Sequence, residues 1–255
     1  MNDLFSLQGR TALVTGGSRG IGRMIAAGFL AQGATVYISS RKAAACEGTA
    51  RELASLGPCV ALPADVSTVD GARALAQAFA AKQPALDILV NNAGAAWGES
   101  FDTFPEKVWD KVVDLNLKSP FFLTQALHAC LCLGAAQRPA KVINIASIDG
   151  ISVNPMETYS YAASKAGLIH LTRRMALRLV QDNIVVSAIA PGAFASEMNR
   201  DARDHGDQVA RRVPAGRVGV DEDMAGAAIY LASRAGDYVV GETIVVDGGV
   251  TLARG

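Results

Sequence analysis

Short β-branched runs recur along the chain, and most are followed by a longer segment whose apolar residues return every three or four positions. The runs fall at 11–15, 35–39, 60–62, 88–90, 141–145, 185–189 and 243–246. Strands alternating with helices over nearly the whole length predict an α/β architecture: a doubly wound, parallel Rossmann-type sheet of about seven strands with helices on both faces. Between the first two runs Ile21, Ile25 and Phe29 share one helical face and Gly33 supplies a stop, which makes a βαβ unit. Later helical patterns cover 69–80, 105–117, 119–133, 161–182 and 221–231. Asp221, Glu222 and Asp223 suit a helix N-terminus, where negative charge complements the macrodipole. Segment 192–220 carries Asp, Arg, Gly and Pro with no apolar period, and predicts a mobile flap inside a single domain spanning 1–255.

Composition narrows the function classes. Of 255 residues, 50% are hydrophobic and 19% charged, which excludes a disordered chain. The 24 basic residues balance 24 acidic ones, so no basic field draws in a nucleic-acid backbone. The most apolar long stretch, 120–136, is interrupted by Thr124, Gln125 and His128 and reads as a buried helix rather than a membrane span. No targeting segment is expected ahead of the first strand. Cys46, Cys59, Cys130 and Cys132 form no CxxC pair and read as buried thiols of a reducing, cytoplasmic setting. His128, His170 and His205 form no HxxxH or HExxH spacing, so no metal site is predicted.

The first strand-to-helix turn reads Thr15-Gly16-Gly17-Ser18-Arg19-Gly20-Ile21-Gly22. Glycines there let the backbone approach a pyrophosphate, whose charge is met by free N–H groups and the dipole of the following helix. The spacing is GxxxGxG rather than GxGxxG, so the place of the turn in the first βαβ unit carries the nucleotide reading.

Together with Asn91-Asn92-Ala93-Gly94 after the fourth run, Ser147 after the fifth and Tyr161-Ala162-Ala163-Ser164-Lys165, this turn resembles the short-chain dehydrogenase/reductase family. Pro191-Gly192 and Val246-Asp247-Gly248-Gly249 extend the resemblance over nearly the whole chain. It implies a nicotinamide cofactor and hydride transfer. By the same resemblance Gly16, Ser18, Arg19, Gly20, Ile21 and Gly22 hold the pyrophosphate end, and Asp65 and Val66 flank the adenine. Asn92, Ala93 and Gly94 run along the cofactor, while Pro191, Gly192, Phe194 and Ser196 serve its nicotinamide end. Ser196 stands where the family pattern has threonine, and its hydroxyl still reaches a carboxamide. Asp65 could equally act as a turn acid.

The chemistry of the residues agrees. Tyr161 and Lys165 stand at i and i+4, so on a helix they project from one face. Poising a tyrosine near 7 requires roughly 4 kcal/mol of preference for the phenolate. A neighbouring ammonium and a cationic nicotinamide would supply it. Tyr161 then donates a proton to the substrate oxygen in reduction, or removes one in oxidation. The resemblance further implies that Lys165 binds ribose hydroxyls, Ser147 hydrogen-bonds the reacting carbonyl, and the backbone of Asn116 holds a water in a proton relay. Ser147 and Tyr161 are one position further apart than the family pattern, which leaves Tyr159 as a rival base; a partner lysine for it would fall at position 163, which is Ala163.

At the end of the second strand the sequence Ser39-Ser40-Arg41-Lys42 has no carboxylate to accept an adenosine ribose. Arg41 and Arg19 can instead grip a 2′-phosphate by charge-assisted hydrogen bonds, which predicts NADP(H). Trp97, Met156 and Phe194, with Ala95, Pro155 and Met198, form an apolar wall around Ser147 and Tyr161 and suggest a chain-bearing ketone. Within the family the pattern most resembles 3-oxoacyl-thioester reductases, in particular a branch linked to rhamnolipid precursors. Alternatives are a polyol, sugar or steroid alcohol dehydrogenase, or a silent nucleotide-binding subunit. An acidic acyl-carrier protein would find basic patches at Arg173, Arg174 and Arg178, or at Arg200, Arg203, Arg211 and Arg212. The resemblance also implies a homotetramer with helices 105–133 and 161–182 at its interfaces.

Overall fold

The computed structural model describes residues 3–253. Seven strands, β1 (Thr11–Thr15), β2 (Thr35–Ser39), β3 (Cys59–Ala61), β4 (Ile88–Asn91), β5 (Ala140–Ile145), β6 (Ile184–Pro191) and β7 (Thr243–Val246), form one sheet in the order β3-β2-β1-β4-β5-β6-β7. Every pairing is parallel. Helices α1 (Gly20–Ala31), α2 (Ala43–Leu53), α3 (Val69–Ala80), α4 (Glu106–Val113), α5 (Ser119–Ala126), α6 (His128–Gly134), α7 (Tyr159–Leu179), α8 (Arg200–Asp204), α9 (Gly206–Ala210) and α10 (Asp221–Ala232) connect them.

The central strands are apolar nearly throughout because a parallel sheet is covered on both faces. All five residues of β1 and all eight of β6 are buried. Side chains alternate between two cores, as the pleat requires. Val14, Val90 and Ile143 enter the core that also holds Phe29 of α1 and Ala228 of α10; Leu13, Leu89 and Val142 enter the one that holds Phe79 of α3 and Met175 of α7. Helices α1 and α10 approach closely at Gly28, where a Cβ would stand 2.6 Å from that of Ala225.

Four expectations from the sequence need correction. A helix between β2 and β3 went unread because its buried positions Cys46, Thr49, Ala50 and Leu53 include a threonine and small residues that blur the apolar period. The helix expected over 105–117 stops at Val113 and continues as a π-turn, Asp114–Lys118, which contains Asn116. The helix expected over 119–133 breaks at Leu127 (ψ 2°) and resumes as α6, whose Gly134 lies so close to the Leu86 backbone that a Cβ would collide with its carbonyl oxygen. Helix α7 begins at Tyr159, so both tyrosines lie on it. Segment 192–220 contains α8 and α9, and a bridge from Phe194 to Gly219 closes it.

A buried polar chain fastens α7 to the sheet. Asn91 Nδ2 donates to Asn144 Oδ1 (2.9 Å) and Thr124 Oγ1 (3.2 Å), and Asn144 Nδ2 donates to Thr172 Oγ1 (2.9 Å). Replacing Asn144 by Ala removes its bonds to Asn91 and Thr172, at about 0.5–1.5 kcal/mol for each, while Asn91 keeps its bond to Thr124 and the Thr172 hydroxyl its bond to the Leu168 carbonyl. Urea denaturation of Asn144→Ala is expected to show a loss of about 1–3 kcal/mol, and a change under 0.5 kcal/mol would show that the chain is not what holds α7.

Candidate active site

Parallel sheets bind ligands outside the carboxyl ends of their strands, where the strand order reverses. Here that point lies between β1 and β4. The glycine turn after β1 is shaped for close approach. Gly16 (φ 65°) has Asn92 Nδ2 2.6 Å from where its Cβ would be, and a Cβ at Gly22 would collide with the carbonyl oxygen of Gly16. Gly20 (φ 52°) faces Ser196, whose Cβ would be 3.2 Å away. Helix α1 starts directly after this turn with no side-chain cap and no acidic residue in its first turn, so its amides remain available to an anion. At the end of β2 the buried hydroxyls of Ser39 and Ser40 lack a hydrogen-bond partner. Arg19 and Arg41 are exposed beside that end. A phosphate-bearing dinucleotide fits this donor set.

Ser147, Tyr161 and Lys165 converge at the end of β5. The Ser147 hydroxyl accepts from the Asp149 amide at 3.1 Å and also hydrogen-bonds the Tyr161 phenol. Lys165 is 5% exposed, and its Nζ donates to the Ile145 carbonyl at 2.7 Å while standing 5.6 Å from the Tyr161 ring centre. Burial pushes the lysine down to about 8 and the tyrosine up to about 12; the Ser147 hydrogen bond opposes the rise, and the Asp149 carboxylate adds to it. The protein by itself therefore holds Tyr161 as the neutral phenol rather than poising it near 7. The extra residue before Tyr161 is absorbed in the loop: Gly150 packs on the α7 backbone, where a Cβ would stand 2.6 Å from the Lys165 carbonyl carbon, and Asn154 Nδ2 donates to Asp149 Oδ1 at 2.7 Å. Tyr159 lies away from this cluster. Its hydroxyl donates to Glu157 Oε1 (3.0 Å) and its ring packs edge-on against Phe101 and Phe104.

Asn116 is fully buried and clamps loop residue Ala95 from both sides, accepting from its N–H and donating to its carbonyl at 2.8 Å each, while Nδ2 also reaches Ser164 Oγ at 3.0 Å. Gly94 sits beneath it, close to Lys165 Nζ. Asn92 spends its amide nitrogen on the carbonyls of Thr15 (2.8 Å) and Gly16 (3.3 Å). Asp65 accepts from the Ser67 amide as a turn acid, and Val66 is buried beside it. Pro191 ends β6, and Gly192 lies against Asp247, with 2.7 Å between its would-be Cβ and that of Asp247. Ser196 accepts from the Asn199 amide at 3.0 Å. Ala93 is half-buried between the two strand ends, and Ser18 accepts from the Thr49 hydroxyl through its carbonyl.

One further correction concerns the walls. Phe194 was expected to line the substrate space, but it is 2% exposed and its ring packs on Gly219, so its side chain belongs to the core. Trp97, Met156 and Met198 do stay open to solvent, together with Ile151 and Val153. Sequence reasoning passed over Ser40, Asp149 and Ser164: their spacing gives no sign, and only the fold sets their hydroxyl or carboxylate groups at the site.

Comparison with known proteins settles the family. The sequence model of the family described as Enoyl-(Acyl carrier protein) reductase matches residues 16–251. The chain belongs to the short-chain dehydrogenase/reductase family. It is 48% identical over 256 residues to the rhamnolipids biosynthesis 3-oxoacyl-[acyl-carrier-protein] reductase of Pseudomonas aeruginosa, covering 99% of this chain and 100% of that one. The solved Pseudomonas aeruginosa RhlG/NADP active-site complex superposes with a TM-score of 0.95 at 48% identity, again over 99% and 100% of the two chains. The 2-dehydro-3-deoxy-D-gluconate 5-dehydrogenase of Escherichia coli is 41% identical over 254 residues, 98% of each chain.

For this short-chain dehydrogenase/reductase the buried lysine carries a stability cost with a defined pH window. Its pKa falls from 10.5 to about 8 on folding. The cost is fully present below about 8 and is relieved as pH rises toward 10.5. It amounts to about 3 kcal/mol, offset in part by the bond to Ile145. Lys165→Met in the cofactor-free protein is therefore expected to be as stable as the parent or more so at neutral pH, with the advantage shrinking as pH rises through this window. Parallel thermal melts across that range check it; a constant difference would refute the assignment.

Proposed function

We propose that the protein reduces the ketone of a 3-oxoacyl thioester to a secondary alcohol with NADPH. The observation that carries this reading is the half-buried Tyr161 phenol, hydrogen-bonded to Ser147 with Lys165 beside it at the carboxyl end of β5. Bound NADPH supplies the hydride. Ser147 donates a hydrogen bond to the substrate oxygen and aligns it with the phenol. Tyr161, already held in its protonated form, gives its proton to that oxygen as negative charge develops. The Lys165 ammonium stabilises the phenolate left behind and holds the cofactor ribose, and the π-turn at Asn116 keeps a water within reach of the lysine. Ser40, Arg41 and Arg19 take the 2′-phosphate, and the choice of NADP itself is supported by the NADP complex of the solved relative.

The substrate enters over an apolar mouth formed by Trp97, Ile151, Val153, Met156 and Met198, which suits an acyl chain better than a polyhydroxylated acid. Segment 192–220 acts as a flap over it. Arg200, Arg211 and Arg212 on that segment are exposed, whereas Arg203 is occupied by Glu197 and Asp204 and Arg178 by Asp182. An acidic carrier protein has exposed arginines to meet at the flap, and Arg173 and Arg174 of α7 are exposed as well. The apolar face of Phe121, Phe122, Leu117 and Leu171 between α5 and the middle of α7 suits self-association as a homotetramer. Among the described residues no helix is long and apolar enough to cross a membrane; with its free cysteines the chain fits a cytoplasmic setting.

Oxidation of NADPH and NADH, followed with acetoacetyl-CoA, a longer 3-oxoacyl thioester, a 2-enoyl thioester and a keto-sugar acid, tests the reading. The expected outcome is NADPH oxidation driven by the 3-oxoacyl thioesters, about 10²–10⁴-fold slower in Tyr161→Phe. Arg41→Ala should lose at least about tenfold of the preference for NADPH. Turnover of only the enoyl thioester or the sugar acid would overturn the substrate assignment while leaving the family intact.

A second expectation concerns Asp149, whose charge disfavours the phenolate. In the alcohol-oxidation direction, which requires the phenolate, Asp149→Asn is expected to shift the limb on which the rate rises with pH to lower pH. A pH–rate profile of the variant that superposes on the parent would show that the carboxylate does not act on Tyr161.

A further inference from the structure

Beyond the amino ends of β5 and β6, at the opposite end of the strands from Ser147, three side chains aim at one point. Helix α6 carries His128 and Cys132 one turn apart, and Asp182 ends the single 3₁₀ turn after α7. His128 Nε2 lies 3.0 Å from Asp182 Oδ2 and 3.6 Å from Cys132 Sγ, and the three ligand atoms all fall within 4.8 Å of one another. A tetrahedral zinc ion, with bonds of about 2.0–2.1 Å to nitrogen, 2.3 Å to sulfur and 2.0–2.2 Å to oxygen, sets its ligands roughly 3.3–3.6 Å apart. The two shorter separations already lie within a few tenths of an ångström of that range.

We propose that His128, Cys132 and Asp182 form a zinc site, with water as the fourth ligand. A thiolate with an imidazole selects zinc over the hard cations that carboxylates alone would hold. The backbone around the cluster is fixed from two sides. Asn183, in the left-handed conformation (φ 58°), donates from Nδ2 to the Ala135 carbonyl at 2.7 Å, and its own carbonyl accepts from the Ala140 amide at 3.1 Å. The position of Asp182 relative to the end of α6 is thus set without an ion. Both His128 and Asp182 are about one-third exposed, so an ion and its water can enter from solvent. Binding forms Zn–N, Zn–S and Zn–O bonds, and the thiol proton leaves to solvent. Arg178, whose Nη1 is 2.7 Å from Asp182 Oδ2, is the competitor the ion displaces, and its exposed side chain can swing into water. The ion ties α6 to the end of α7, the helix that carries Tyr161 and Lys165. No short motif marks the site, since Asp182 is 54 positions from His128 and only the fold brings them together.

The test uses the full chain, reduced and stripped of metal. Isothermal titration with zinc chloride is expected to show one ion per chain and a thermal midpoint raised by about 2–5 °C at saturation. Cobalt(II) should give a thiolate charge-transfer band. Both signals should be lost in Cys132→Ser, weaken at least tenfold in His128→Gln and persist in Cys59→Ser, while ketone reduction stays at the parent level in all three. No uptake by the parent chain, or uptake and a cobalt band that survive Cys132→Ser, would overturn the proposal.

Discussion

The two halves of the sheet run outward from β1 and β4, and the crevice beyond the carboxyl ends of these two strands must stay open to a ligand yet rigid. A single threonine meets both demands. Thr15 Oγ1 donates to the Val90 carbonyl at 3.2 Å and accepts from the Asn92 and Ala93 amides at 3.0 and 3.1 Å, while Asn92 Nδ2 returns to the Thr15 and Gly16 carbonyls. The glycine turn and the 91–94 loop are thereby one rigid body. Without that join, a turn rich in positive-φ glycines would pay a large ordering entropy each time it received an anion. From the same loop, Ala95 passes the constraint to Asn116 and on to Ser164 of α7, so the cofactor cradle and the catalytic helix share one chain of hydrogen bonds.

Burial does the rest, and it acts in opposite senses on the two reacting groups. It drives the phenol toward its protonated form and the ammonium toward its neutral one. Moving Tyr161 from about 12 to neutrality requires about 7 kcal/mol, which the apo protein does not supply. The reductive direction needs no such shift at the start, because the phenol is the form it consumes. The oxidative direction does, and would draw the difference from the cationic end of the oxidised cofactor and from Lys165.

Much of the fold was legible because buried parallel strands announce themselves. Strands 11–15, 35–39 and 243–246 matched to the residue, and the others differed only at their ends. The glycine turn, Ser147, Tyr161 and Lys165 were legible because each combines an unusual residue type with a fixed place relative to a strand or helix. What stayed hidden were backbone events inside helices, such as the π-turn at Asn116 and the break at Leu127, which leave the apolar period almost unchanged. Contacts distant in sequence were hidden too. Nothing about Phe194 in a Pro-Gly-x-Phe run distinguishes a ring facing a substrate from one seated on Gly219. The unpartnered hydroxyl of Ser40 is likewise invisible until β2 has an end and a neighbour.

The separation between chemistry and specificity follows from the same geometry. Ser147, Tyr161 and Lys165 hang on β5 and α7, elements fixed by the Asn91–Asn144–Thr172 chain and by two cores. Trp97, Val153, Met156 and Met198 sit on three loops and contribute little to any core, Val153 being 93% exposed. Changes at those positions alter what the mouth accepts without disturbing the proton donor, so one scaffold can serve sugar acids in one protein and acyl chains in another. In this chain the loops carry large apolar side chains and no exposed arginine between Trp97 and Met156. An acyl chain gains from each methylene it buries against these side chains, about 0.8 kcal/mol apiece.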